Sequence, residues 1–247
     1  MFYLLAGCST FSPVFAAQNR SMLDLITSMA TRQLLGELAT RWQGMSGIEV
    51  RIESVGGVDA ARRVQAGEPF DGVVLASNAI DSLIAGGRVL PGSRVDLVQS
   101  SVAVAVRAGE PLPDISTEAA LRSAIVAAAT IGYSTGPSGV ALVKLFEKWG
   151  LLDELQARIV QAPPGVPVGA LVARGEVALG FQQLSELMGL EAIAVVGVLP
   201  GSASITTIFS AAVCVASTQR EELAGLLAFM ASSDVTKLKL QNGMQAP

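Results

Sequence analysis

Two long strand patterns, Val95 to Val106 and Thr206 to Ala216, constrain this chain more than any other feature. Between them lie about 100 residues in which short strands and helices alternate, and the same alternation fills both flanks. An α/β pattern interrupted by a second α/β pattern predicts two Rossmann-like lobes with the long strands as crossings. On this reading residues 22–101 with 207–247 form one lobe and residues 102–206 form the other. A cleft between such lobes is where small ligands bind, and hinge closure follows from two crossings. No internal repeat of 20 to 50 residues is visible.

The shorter elements follow from periodicity and punctuation. Strands are expected at Leu23–Ile26, Ile48–Ile52, Gly72–Ala76, Ile125–Ile131, Glu176–Phe181 and Ala192–Val198, with Arg158 to Gln161 extended. Helices are expected at Arg32–Trp42 (stopping at Gly44), Val58–Gln65, Ala79–Ala85, Thr117–Ala124, Ser138–Trp149, Leu151–Ala157, Val168–Ala173 and Arg220–Ala231, with a short one from Ser185.

Composition narrows the chemistry. Apolar residues make up 51% of the 247 and charged ones 15%, the profile of an α/β protein with buried parallel strands. A net charge of -4 with no basic stripe argues against nucleic acid. No apolar run reaches the ~18 residues of a membrane span. With no histidine and two cysteines, neither a metal site nor a cofactor is expected. Cys214, in an apolar run far from Cys8, is expected to be a buried thiol and not half of a disulfide.

The first 21 residues are expected to lie outside the fold. Leu5-Ala-Gly-Cys8 resembles a lipoprotein cleavage site, and Val14-Phe-Ala16 a signal-peptidase site, although the first positive charge is Arg20. These are read as the remains of an export signal, which implies a periplasmic location and marks Cys8 as a candidate lipid anchor.

The stretch Gly132-Tyr-Ser-Thr-Gly136 matches the G-x-S-x-G nucleophile elbow. That chemistry needs a base, and without histidine a Ser-His-Asp triad is impossible. What remains is a strand, a hydroxyl-rich loop and a helix start, which together suit an anion. Other loops after strands carry similar donors: Thr27-Ser28, Ser54 to Gly57, Ser77-Asn78, Tyr133 to Gly139 and Gln182-Gln183, while Pro163 to Pro167 leads into a further helix. In a parallel sheet these loops converge on one crevice. The candidate ligand-binding residues read from these loops and the helix start after them are Thr27, Ser28, Arg32, Ser54, Ser77, Ser134, Thr135, Ser138 and Gln183. Arg32 stands in the first turn of a helix, where a cation opposes the dipole, so a carboxylate partner in the cleft would account for it. Arg62 and Arg63 lie mid-helix and are expected at the surface.

From Leu23 onward the chain resembles the molybdate-type periplasmic solute-binding proteins of the two-lobed class II fold. The resemblance is carried by Glu37-Leu-Ala-Thr-Arg-Trp42, by Val64-Gln-Ala-Gly-Glu-Pro-Phe-Asp71 before Val73 to Ser77, and by Ala173-Arg-Gly-Glu-Val-Ala-Leu-Gly180. It implies an oxyanion held by two Ser hydroxyls, a Tyr hydroxyl and amides at helix starts. Those positions fall near Ser28 to Ala30, at Ser54, near Ser138 and Val166, and at Gln183 in place of Tyr. The expected ligand is a small anion, an oxyanion or an organic carboxylate, and with Gln183 and Arg32 present a di- or tricarboxylate fits better than molybdate. The resemblance implies a monomer that hands a small anion to an ABC permease, more a binding protein than an enzyme. The alternative is a cofactor-independent isomerase of an unsaturated tricarboxylate, like the aconitate isomerase that shares this fold. Moving a double bond requires a base and an acid, for which Tyr133 and Asp24 are the candidates.

Overall fold

A computed structural model describes residues 22–247, so the leader and Cys8 lie outside the described residues. Strand β1 (Met22–Ser28) runs through a short 3-10 turn at Met29–Thr31 into helix α1 (Arg32–Ser46). Thr27 and Ser28 therefore belong to the strand and not to the loop expected there. Helix α1 buries Leu34, Leu35, Leu38 and Ala39, one stripe at helical spacing. It passes through Gly44 and stops at Gly47, whose φ of 73° lets its N–H reach the carbonyl of Gln43. The left-handed conformation ends the helix, and of the two glycines it is Gly47 and not Gly44 that adopts it.

Strand β2 (Glu49–Val55), helix α2 (Gly57–Ala66), strand β3 (Gly72–Ala76) and helix α3 (Ser77–Ala85) complete the first run of alternation. Strand β4 (Val95–Arg107) then crosses into the second lobe. Helix α4 (Glu118–Ala127), strand β5 (Ile131–Tyr133), helices α5 (Pro137–Lys148) and α6 (Leu152–Leu155), and strand β6 (Ile159–Gln161) follow. Next come helix α7 (Val168–Ala173), strand β7 (Leu179–Gln183), helix α8 (Leu184–Leu187) and strand β8 (Ile193–Val198). Strand β9 (Thr206–Val213) returns to the first lobe, which ends with α9 (Arg220–Ala231) and α10 (Thr236–Gln241).

The apolar run expected as a strand from Ile125 is mostly helix. Ile125 sits one turn after Leu121 on the buried face of α4, and β5 begins only at Ile131. A short apolar run carries no period that separates a buried helix end from a strand.

The strands follow the order β2-β1-β3-β9-β4-β7-β5-β6, with β8 also on β4. Strand β4 changes partners midway: Val95 to Ser101 pair with β9, whereas Val102 to Arg107 pair with β7 and β8. Strands β1, β2 and β3 are parallel, as are β5, β6 and β7. Every partner of β4 and β9 is antiparallel, so the parallel arrangement expected from composition holds only away from the crossings.

Each lobe has core on both faces of its sheet. Leu23, Leu25 and Val74 pack against α1 and α9, while Ile26, Val73 and Leu75 pack against α2 and α3. In the second lobe Val102, Val104 and Val106 face α4 and α5, and Ala103 and Ala105 face α7. That two-sided burial is why these strands read as unbroken apolar runs. Each buried Leu, Ile or Val side chain contributes roughly 1.5–3 kcal/mol relative to an exposed one. Cys214 is a buried free thiol, and its apolar surroundings push its pKa up to about 12. Among the described residues no helix is long and apolar enough to cross a membrane, and no cluster of His, Cys, Asp and Glu is placed to hold a metal.

Candidate functional site

The C-terminal ends of β1, β2, β5, β6 and β7 open toward the crevice between the lobes, and its inner part is a cavity of about 80 Å³. One wall is Ser28, Met29, Ala30 and the start of α2 at Gly56-Gly57. The facing wall is the Ser134 to Ser138 loop with Pro163, Gly165 and Val166. Gln182, Gln183 and Glu186 close one end, and Thr207 and Phe209 of the crossing strand line the floor.

Helices α2 and α5 both begin at this cavity, so first-turn N–H groups without intrahelical partners face it. The Ser134 loop is held in shape by Gly139: a Cβ there would lie 1.8 Å from the carbonyl oxygen of Ser134. Only glycine lets α5 start that close to the loop, and the hydroxyls of Ser134 and Ser138 meet at 3.2 Å. No base lies within hydrogen-bond reach of Ser134 among the described residues, so the G-x-S-x-G match is a loop and not an elbow.

Two buried polar atoms on the cavity lining lack a partner, the Ser28 hydroxyl and the Gln183 Oε1. Buried polar atoms are paired in the great majority of cases, so these two mark the cavity as built to bond something. The other end of the Gln183 amide is fixed, with Nε2 donating to Thr207 Oγ1 at 2.7 Å.

Glu186 is the one ionisable side chain lining the cavity among the described residues. Its Oε1 accepts from Gln182 Nε2 at 2.9 Å, and Gln182 Oε1 accepts from the Gly169 N–H at 3.1 Å. Burial pushes the Glu186 carboxyl up to about 7, although the bond from Gln182 pulls the other way. Sequence reasoning missed this residue. A Glu on a short helix reads as solvent-facing, and the available signal was its position four residues after Gln182 at the end of a buried strand.

Beyond the inner cavity the cleft widens to about 750 Å³ between Arg32, Ser54, Asp59, Arg62, Thr135 and Gly165. Arg32 is exposed on this wall and forms no ion pair with a described residue. Arg62, expected at the general surface, lines the cleft and bonds Asp59.

Of the candidates, Ser28, Ser134, Thr135, Ser138, Val166 and Gln183 come together around the inner cavity. Arg32 and Ser54 lie in the outer cleft, where the Ser54 hydroxyl donates to the Ser28 carbonyl at 3.3 Å. Thr27 is a correction. Strand parity turns it away from the cavity, and its hydroxyl bonds the Val74 carbonyl at 3.0 Å inside the lobe. Ser77 is another, because α3 begins directly at it and it lines neither part of the cleft. Asp24 lies four residues upstream of Ser28 on β1, paired with Arg51, at the wrong end of the strand. Tyr133 packs with the α5 side of the second lobe and not against the cavity.

The family of bacterial extracellular solute-binding proteins matches residues 23–245. The chain belongs to that family. As a solute-binding protein it is 36% identical over 239 residues to an aconitate isomerase of a Pseudomonas sp, covering 95% of this chain and 91% of that one. Its fold superposes on the periplasmic molybdate-binding protein of Azotobacter vinelandii with a TM-score of 0.77 at 22% identity, covering 91% of this chain and 99% of that one. It also matches a sulfate-binding protein of Mycobacterium tuberculosis H37Rv, with a TM-score of 0.74 at 16% identity, covering 91% and 86%. These two likenesses are of fold.

Proposed function

We propose that this protein captures a small organic anion with more than one carboxylate in the cleft between its lobes. The observation that carries this reading is the pair of unpartnered buried atoms, Ser28 Oγ and Gln183 Oε1, beside two helix N-termini. One carboxylate fits the inner cavity, accepting from Ser28, Ser138 and the first-turn N–H groups. Rotation of the Gln183 amide by half a turn would present Nε2 to the ligand and keep a bond with the Thr207 hydroxyl, which can donate as well as accept. The cavity is small beside the outer cleft, about 80 Å³ against about 750 Å³, so the rest of the ligand extends toward Arg32. Residues 22–101 with 207–247 close on residues 102–206 about the crossings in β4 and β9. Relatives named for molybdate and sulfate binding support an anion, and the export-signal resemblance at residues 1–21 supports a periplasmic monomer serving an ABC permease, with Cys8 as its lipid anchor.

Thermal shifts against molybdate, sulfate, acetate, citrate and trans-aconitate test this. A ligand at a hundred times its Kd adds about 2.7 kcal/mol, a Tm rise of roughly 5–10 °C for a chain of this size. Stabilisation by none of the anions would overturn the reading.

A second reading is favoured by Glu186. A carboxylate in an anion cavity repels the ligand, whereas one that gains a proton can donate to the ligand or exchange protons with it, and the 36% identical relative is an aconitate isomerase. On this reading the same cleft isomerises an unsaturated tricarboxylate. Conversion of trans- to cis-aconitate, followed by chromatography, tests it, and no conversion at high protein concentration would rule it out.

A further inference from the structure

We infer that Glu186 is the proton-transfer group of this cavity, carrying a proton between two carbons of a bound unsaturated tricarboxylate. The inference rests on the isomerase reading and deepens it. Moving a carbon–carbon double bond one place along a chain requires a proton to leave the carbon at one end of a three-carbon unit and another to join the far end. No atom is gained or lost overall. With trans-aconitate, a Glu186 carboxylate oxygen takes a proton from the methylene carbon next to a carboxylate. The C–H electron pair enters a dienolate spread over the three carbons and the adjoining carboxylates. The protonated Glu186 then gives a proton to the former vinyl carbon, and the carbon that was methylene becomes the new vinyl carbon. Glu186 ends as it began, and no oxidant or cofactor takes part.

Four observations converge on this residue. It is the one ionisable group on the cavity lining among the described residues, so no neighbour there competes for the role. Its carboxyl is held by a single donor, Gln182 Nε2 on Oε1, which leaves Oε2 without a hydrogen-bond partner among the described residues. Gln182 is itself oriented by the Gly169 N–H, making it a positioning residue and not a second proton carrier. Burial sets the carboxyl near neutrality, where a group can both accept and return a proton at working pH. The dienolate charge would meet the starts of α2 and α5 and the Ser28 hydroxyl, donors already in place. The groove that carries Glu186 on its outer side also holds Arg32 and Glu37, and no further ionisable side chain among the described residues.

The test uses the intact protein with trans-aconitate in deuterium oxide, followed by proton NMR. Wild type should form cis-aconitate, with deuterium at the newly protonated carbon only to the extent that protonated Glu186 exchanges with solvent before returning its proton. E186Q should still be stabilised by trans-aconitate in a thermal melt, yet convert it about 10²–10⁴-fold more slowly. E186D, with its carboxyl one carbon shorter, should retain slow conversion and an acidic limb in its pH profile. That variant keeps the question open to test if E186Q folds poorly. Conversion by E186Q at the wild-type rate would overturn the role of Glu186 and leave the isomerase reading standing. Wild type that binds trans-aconitate without conversion or exchange would sink the isomerase reading and this inference together, leaving anion capture.

Discussion

Gln183, the last residue of β7, donates from Nε2 to Oγ1 of Thr207, the second residue of β9, at 2.7 Å. The bond ties the end of a second-lobe strand to the crossing strand and fixes the amide at the cavity. In T207V this bond is lost and the amide is free to turn. The expected outcome is a fivefold to tenfold weaker Kd for whichever carboxylate stabilises wild type, about 1 kcal/mol. Calorimetric titration reads this directly.

The Glu186 carboxyl titrates at about 7 when folded, against 4.5 as its ordinary value. Between those values the folded chain holds a proton that the unfolded chain has released. Stability is therefore highest below pH 4.5 as far as this group is concerned, falls as pH rises through that window, and levels off above 7. At about 1.4 kcal/mol per pKa unit the whole effect is at most about 3.5 kcal/mol. E186Q lacks the titration, so its Tm advantage over wild type should grow from pH 5 to pH 8. A constant difference across that range would contradict the assignment.

Gly139→Ala places a methyl against the Ser134 carbonyl, where the ideal Cβ position lies 1.8 Å away. Either α5 or the loop must move. A loss of about 1–3 kcal/mol is expected from denaturant melts, the usual range for overpacking. Anion binding should weaken as well, because the displaced loop carries Ser134, Thr135 and Ser138.

Arg32→Gln removes the cation of the outer cleft that pairs with no described residue. A charge-assisted bond contributes about 1.5–3 kcal/mol, so trans-aconitate should bind roughly 10- to 100-fold more weakly. Sulfate, small enough to sit in the inner cavity alone, should lose little. Paired titrations with the two anions separate the effects, and equal losses for both would place Arg32 at the inner cavity instead.

Much of the fold was legible because its elements are locally encoded. Helices Val168–Ala173 and Arg220–Ala231 stand where periodicity and turn residues put them, and Gly150 follows the end of α5 with a φ of 69°. Errors fell where one pattern serves two structures, as with Ile125, whose apolar run closes a helix before β5 starts. Ser134 and Ser138 are legible as candidates through the donor chemistry of their loop, and Val166 only through the family resemblance; the fold brings all three to the inner cavity.

The sequence by itself determined the class of the protein: alternating strands and helices broken by two long crossings, no histidine for triad chemistry, and donor-rich loops suited to an anion. Which of two adjacent residues reaches the ligand was decided only in three dimensions. Strand parity sends Ser28 to the cavity and Thr27 to the Val74 carbonyl, and parity depends on where β1 ends. Glu186 is the clearest case. In the sequence it is a charged residue on a short helix, and only the packing of α8 beside Met29 and Gln182 places it on the cavity lining and desolvates its carboxyl. Desolvation is a property of the assembled surroundings, so no local pattern could have announced it.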